Sequence, residues 1–129
     1  MIGVLVTSHG NLCQELLNSL VMITGENHNI LALKFDDYNN YKNELTMKLN
    51  IMISDYDGIL IFTDIIGGTP FNESYKYVRE SNKNNIKIIT GVNLPMIIET
   101  TLALSHEDNL NNLVNIAVDA GKGSINCVC

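Results

Sequence analysis

The chain has 129 residues, 46% of them hydrophobic and 17% charged, which fits one globular domain with a sizeable core and excludes a disordered segment. A net charge of −6 disfavours nucleic acid and anionic membrane surfaces as partners, and suits a protein with a basic docking face. No apolar run approaches the ~20 residues that span a bilayer, and MIGVLV lacks the basic flank and length of a signal peptide, so a cytoplasmic protein is expected.

Ile2 to Ser8 is an apolar run ended by a polar turn, the pattern of a buried strand. Leu12, Leu16, Leu17, Leu20 and Ile23 recur at helical spacing, with Gly25 as the stop. Ile30 to Phe35 reads as a second strand, and Tyr41, Leu45, Leu49 and Met52 mark a second helix. Gly58 to Thr63 is a third strand. After it come Gly67, Gly68, Thr69 as a natural N-cap, and Pro70, whose missing N–H costs nothing in a first helical turn. The helix that follows is predicted to carry Phe71, Tyr75 and Val78 on one side. Ile86 to Thr90 makes a fourth strand, and Pro95 to Leu104 a short helix. Leu110, Leu113, Val114, Ala117 and Val118 make a last helix, stopped by Gly121 and Gly123. The tail SINCVC alternates like a strand, which would pair antiparallel at a sheet edge, of its own chain or of a partner. There is no repeat, linker or boundary, so residues 1–129 are expected to form a single domain.

Strands alternating with helices predict an α/β domain: a four-stranded, mostly parallel sheet with helices on both faces. Such sheets bind ligands beyond the carboxyl ends of the strands, where the strand order reverses. With strand order 2-1-3-4, the reversal falls between strands one and three. His9 follows the first of these and Asp64 the other, so the two least ordinary loop residues meet at the expected crevice.

Gly67 and Gly68 let the backbone turn tightly and approach a ligand, and the free N–H groups of the helix start form an anion site. A histidine, a carboxylate and an anion-binding helix start support phosphoryl transfer through imidazole. The ring is a nucleophile near neutral pH because an unperturbed imidazole titrates at ~6.5. A carboxylate accepting one ring N–H fixes the tautomer and stabilises the developing positive charge. Backbone amides from Gly67 to Thr69 would supply the charge stabilisation that such a transfer needs. Each piece has a bland reading by itself: a structural histidine, a turn-capping Asp64, a plain strand-to-helix connection. Their joint placement favours function.

Other polar residues have simpler roles. Cys13, Cys127 and Cys129 show no zinc or redox spacing and read as small apolar residues. His28 and His106 read as solvated surface, and Asp36 and Asp37 as turn residues. No metal-ligand cluster is evident, and no cofactor is expected. Gly91 and Pro95 mark a constrained turn that is equally a wall of the site or a plain helix start.

MIGVLVTSHG, FTDIIGGTPFN and GVNLPMIIET, in this order and spacing, resemble the enzyme IIA domain of the mannose family of the bacterial sugar phosphotransferase system. The similarity runs essentially the whole chain. It implies a cytoplasmic phosphocarrier that accepts a phosphoryl group from the histidine-containing phosphocarrier protein and passes it to a IIB subunit, which phosphorylates a sugar imported by membrane IIC and IID subunits. Carried over by position, His9 would be phosphorylated at Nε2 and Asp64 would hold Nδ1. Thr69 with Gly67 and Gly68 would line the phosphate site. The resemblance also implies a homodimer exchanging its final strand and peripheral association with the transporter; since the sequence stops after that strand with no IIB domain fused, the IIB acceptor is expected on another chain. Some members carry an aromatic residue where this chain has Ile66, a difference in the docking surface rather than the chemistry.

Rival readings are the related phosphocarrier subunit of dihydroxyacetone kinase, whose loop lacks the GG-T-PFN pattern, and a regulatory module switched by phosphorylation of His9. A nucleotide-binding domain is disfavoured because TSHGN is neither a P-loop nor a G-x-G-x-x-G turn.

Overall fold

A computed structural model describes residues 1–129. Its elements run β1 (Ile2–His9), α1 (Leu12–Thr24), β2 (Ile30–Phe35), α2 (Tyr38–Asp55), β3 (Gly58–Thr63), α3 (Thr69–Ser81), β4 (Ile86–Thr90), α4 (Leu94–Ala103) and α5 (Leu110–Gly123). The sheet has the order β2-β1-β3-β4, and all three pairings are parallel.

Burial on both faces explains the continuous apolar strands. Val4, Val6, Leu60 and Phe62 point to one face, packed with Cys13 and Leu20 of α1, Ile97 of α4 and Leu113 and Ala117 of α5. Leu5, Ile59 and Ile61 point to the other, against Tyr41, Leu45, Leu49 and Met52 of α2 and, in part, Tyr77 and Val78 of α3. The α2 positions named from periodicity are the buried ones.

Three helices differ from the sequence pattern. In α1 the buried residues are Cys13 and Leu20, while Leu12 and Ile23 are exposed, because the helix starts at Leu12 and turns that residue to the rim. In α3 the buried residues are Pro70, Glu73 and Ser74. Phe71 and Tyr75 instead stack on each other on the outer side, 5.9 Å apart, with Arg79 over the Tyr75 ring. In α5 the helix runs through Gly121, which is placed for packing rather than termination: a Cβ there would come within 2.4 Å of Met96 Cε.

The tail beyond α5 pairs with no strand of its own chain, which removes its own sheet edge as the place for SINCVC. Ile125 and Val128 are exposed, as are Cys127 and Cys129.

Candidate functional site

His9 is the last residue of β1 rather than the first of the loop, in register with Phe35 of β2. The chain turns sharply after it through Gly10 at φ +57°, a conformation open to glycine. The Gly10 N–H donates to the Phe35 carbonyl at 2.8 Å. Ser8, on the opposite face, accepts the Cys13 N–H on its Oγ at 2.8 Å and so does the capping that Asn11 at the start of α1 does not.

Asp64, one residue past β3, lies beside His9 because β1 and β3 are neighbours in the sheet. Its Oδ2 accepts the His9 backbone N–H at 2.9 Å and is 2.8 Å from His9 Nδ1; its Oδ1 accepts the Ile65 N–H at 2.9 Å. Burial pushes the carboxyl up, but these donors outweigh it and hold Asp64 below the ordinary carboxylate range. The Asp64 side chain is 12% exposed and that of His9 is 48% exposed, so the carboxylate is sheltered while the imidazole reaches solvent.

Gly67, at φ +83°, turns the loop, and Gly68 rather than Thr69 is the N-cap of α3. No side chain caps this helix, and Asn72 is its first residue with a paired N–H, to the Gly68 carbonyl at 2.9 Å. The amides of Thr69 and Phe71 are therefore free, with the positive end of the helix dipole behind them. Gly68 lies directly against the imidazole: a Cβ on it would stand 2.6 Å from His9 Cε1 and 3.3 Å from Nε2. With Nδ1 on Asp64, the remaining ring nitrogen is thus at the mouth of α3. Ile65 and Ile66 flank this point, 57% and 67% exposed.

Sequence reasoning missed Phe35. Its ring is 5.6 Å from that of His9, centroid to centroid, with the planes at 81°. The signal was available only through the β1–β2 register, which no spacing rule gives.

The other sequence candidates lie elsewhere. His28 and His106 are exposed. Asp37 N-caps α2, accepting from the Asn39 N–H at 3.0 Å, and Asp36 pairs with Lys34 at 3.2 Å. Asn93 caps α4 through the Met96 N–H, with Pro95 in its first turn, which is the helix-start reading of that segment; the Val92 N–H also donates to the Thr63 carbonyl, one residue before Asp64. No group of three or more His, Cys, Asp or Glu side chains is arranged to hold a metal ion. No helix is long and apolar enough to cross a membrane. A groove of about 330 Å³, lined by Gln14, Leu17, Val21, His28 and Leu31 among others, runs along α1 and the turn into β2, at the opposite end of the strands. It holds none of the convergent groups found at His9, so the surface around His9 is the better candidate.

The chain is similar along most of its length to proteins of one family. A family model described as the fructose IIA component of the phosphotransferase system (PTS) matches residues 3–118. The chain is 31% identical over 127 residues to the PTS mannose-specific EIIAB component of Escherichia coli (strain K12), covering 96% of this chain and 38% of that protein. The chain thus spans well under half the length of that relative. It is 30% identical over 119 residues to the PTS fructose-specific EIIA component of Bacillus subtilis (strain 168), covering 88% of this chain and 80% of that one. Among solved structures, the phosphotransferase system component EIIA from Streptococcus agalactiae superposes with a TM-score of 0.87 at 29% identity, over 98% of this chain and 97% of the other.

Proposed function

The chain belongs to the IIA-component family of the sugar phosphotransferase system, and on that premise we propose that it is a phosphocarrier working through a phosphohistidine at His9. The carrying observation is the pairing of His9 Nδ1 with Asp64 while Nε2 stands at the uncapped N-terminus of α3. With Asp64 accepting from Nδ1–H, the Nε2 lone pair is free to attack. In the forward step the N–P bond of the donor phosphohistidine breaks as the Nε2–P bond forms, and the donor imidazole keeps the electron pair. The positive charge gained by the His9 ring is balanced by the Asp64 carboxylate. The phosphoryl oxygens lie against the Gly67–Thr69 backbone, where free amides and the helix dipole favour negative charge. Delivery to the acceptor reverses these roles.

The donor is the histidine-containing phosphocarrier protein and the acceptor a IIB subunit, which serves a sugar transporter with IIC and IID subunits; the carrier works in the cytoplasm, at times peripheral to that transporter. These partners come from the family resemblance and the relatives' printed descriptions as PTS components. Residues 1–129 act as one domain and form a homodimer that exchanges the final strand. Two observations support the exchange: β4 is an edge strand, and the tail leaves α5 beside it, with Ile125 lining a cleft with Ile89, Thr90 and Gly91 while finding no strand of its own to join.

The test is phosphorylation of the purified chain by phosphoenolpyruvate, enzyme I and the phosphocarrier protein, with peptide mapping under conditions that preserve phosphohistidine. Label on His9 is expected, and its loss in His9→Ala. Undiminished labelling of His9→Ala refutes the assignment. Sedimentation of the chain with residues 125–129 removed tests the dimer: an unchanged dimer refutes the strand exchange.

A further inference from the structure

One hydrogen bond, to Asp64, holds the half-exposed imidazole of His9. A single contact at Nδ1 fixes one point of a planar ring and leaves rotation that would swing Nε2 away from α3. Two surfaces restrict that rotation, from opposite neighbours of β1. On the β3 side, Gly68 lies against Cε1 and Nε2. On the β2 side stands Phe35, its ring nearly perpendicular to the imidazole at a spacing favourable for an edge-to-face pair.

Phe35 is itself held. It makes edge contacts with Tyr41, at 5.2 Å and 73°, and with Tyr38, at 6.3 Å and 83°. Tyr41 is buried, and its hydroxyl is bound to Thr7 Oγ1 at 2.6 Å. The backbone is tied as well, through the Gly10 N–H on the Phe35 carbonyl. A file of aromatic rings therefore runs from the core to the imidazole, anchored at Thr7, two residues before His9 on the same strand.

We infer that Phe35 is a positioning residue: with Gly68 opposite, it clamps the His9 ring in the orientation that presents Nδ1 to Asp64 and Nε2 to the start of α3. It acts through His9. The inference rests on the phosphohistidine reading, and its test has a readout that needs no phosphoryl donor.

The experiment compares Phe35→Leu, Phe35→Met and Phe35→Tyr in the full chain. Long-range ¹H–¹⁵N correlation spectra of ring-labelled histidine report the His9 tautomer fraction and its pH midpoint. Initial labelling rates over a range of phosphocarrier concentration report transfer. In the Leu and Met variants the labelling rate at saturating donor should fall about tenfold, the size of one lost aromatic pair, with half-saturation nearly unchanged. Both variants should also populate mixed tautomers, and Phe35→Tyr, which keeps the ring, should restore both readouts.

Wild-type rates and tautomer fractions in Leu and Met overturn the inference and leave the phosphohistidine reading standing. A loss that Tyr does not restore overturns it too. An unlabelled wild-type chain, with donors active on a control protein, removes the phosphohistidine reading, and the tautomer spectra still decide whether Phe35 orients the ring. Should both aliphatic variants fail to fold, the wild-type chain decides: nuclear Overhauser contacts to Phe35 from one imidazole edge support the clamp, and equal contacts from Hδ2 and Hε1 overturn it.

Discussion

Substituting Gly68 by alanine tests the site at its narrowest point. The backbone there is at φ −76° and ψ 167°, which any residue adopts, although alanine is a poorer N-cap than glycine by about 0.5–1 kcal/mol. The new methyl, however, would stand 2.6 Å from His9 Cε1, about 0.8 Å short of the 3.4 Å at which ordinary contact begins. The imidazole has to give way. A retreat of that size lengthens the 2.8 Å Nδ1 contact to Asp64 by up to about 0.8 Å, to as much as about 3.6 Å, beyond hydrogen-bonding reach. Losing a bond to a charged group costs roughly 1.5–3 kcal/mol. A misplacement near 1 Å of a reacting group is worth up to about 100-fold in rate. Gly68→Ala should therefore melt about 5–10 °C below wild type and accept phosphate about 10- to 100-fold more slowly. Gly67→Ala is the matched control. Its φ of +83° strains any side chain, by about 1 kcal/mol, but its Cβ would meet nothing within 4 Å, so it should lose stability and keep most of its labelling. Both variants are compared by thermal melting and initial labelling rate. Gly68→Ala labelling at the wild-type rate would show that the imidazole does not depend on this contact, and would refute the reasoning.

Asp64→Asn should impair labelling, and it also carries a pH signature. Because the folded carboxyl titrates below its ordinary value, its stabilising contribution is complete above about pH 4 and is lost as the pH falls through the lowered value, so the melting difference between wild type and variant should shrink in acid. Thr7→Val strands the buried Tyr41 hydroxyl and should cost about 1–3 kcal/mol in urea unfolding. Thr63→Val removes a buried hydroxyl with no protein partner and should be neutral or slightly stabilising by the same measurement. His28→Ala and His106→Ala, both at exposed positions, should label like wild type.

The strands were legible because a sheet buried on both faces demands uninterrupted apolar residues, and GILIFT and IKIIT begin and end where the structure has them. The outward faces of α1 and α3 were not legible. Apolar spacing identifies a helix but not which stripe meets the sheet, and Phe71 and Tyr75 satisfy each other at the surface instead of entering the core. Capping residues were misread for a related reason. Thr69 has the chemistry of an N-cap, yet Gly68 occupies the position, since the approach of the imidazole leaves no room there for a side chain.

The sequence by itself determined the alternation of strands and helices, and with it a crevice at the ends of β1 and β3 that has to contain His9 and Asp64. It also determined that a glycine pair would open a helix there. Only the tertiary structure decided which nitrogen of His9 meets the carboxylate, that the amides at the start of α3 stay unpaired, and that Phe35 stands beside the ring. Those are relations between residues up to 59 positions apart in sequence, from His9 to Gly68, brought together by lateral strand pairing. Periodicity describes what one segment buries; the register between strands sets which side chains meet.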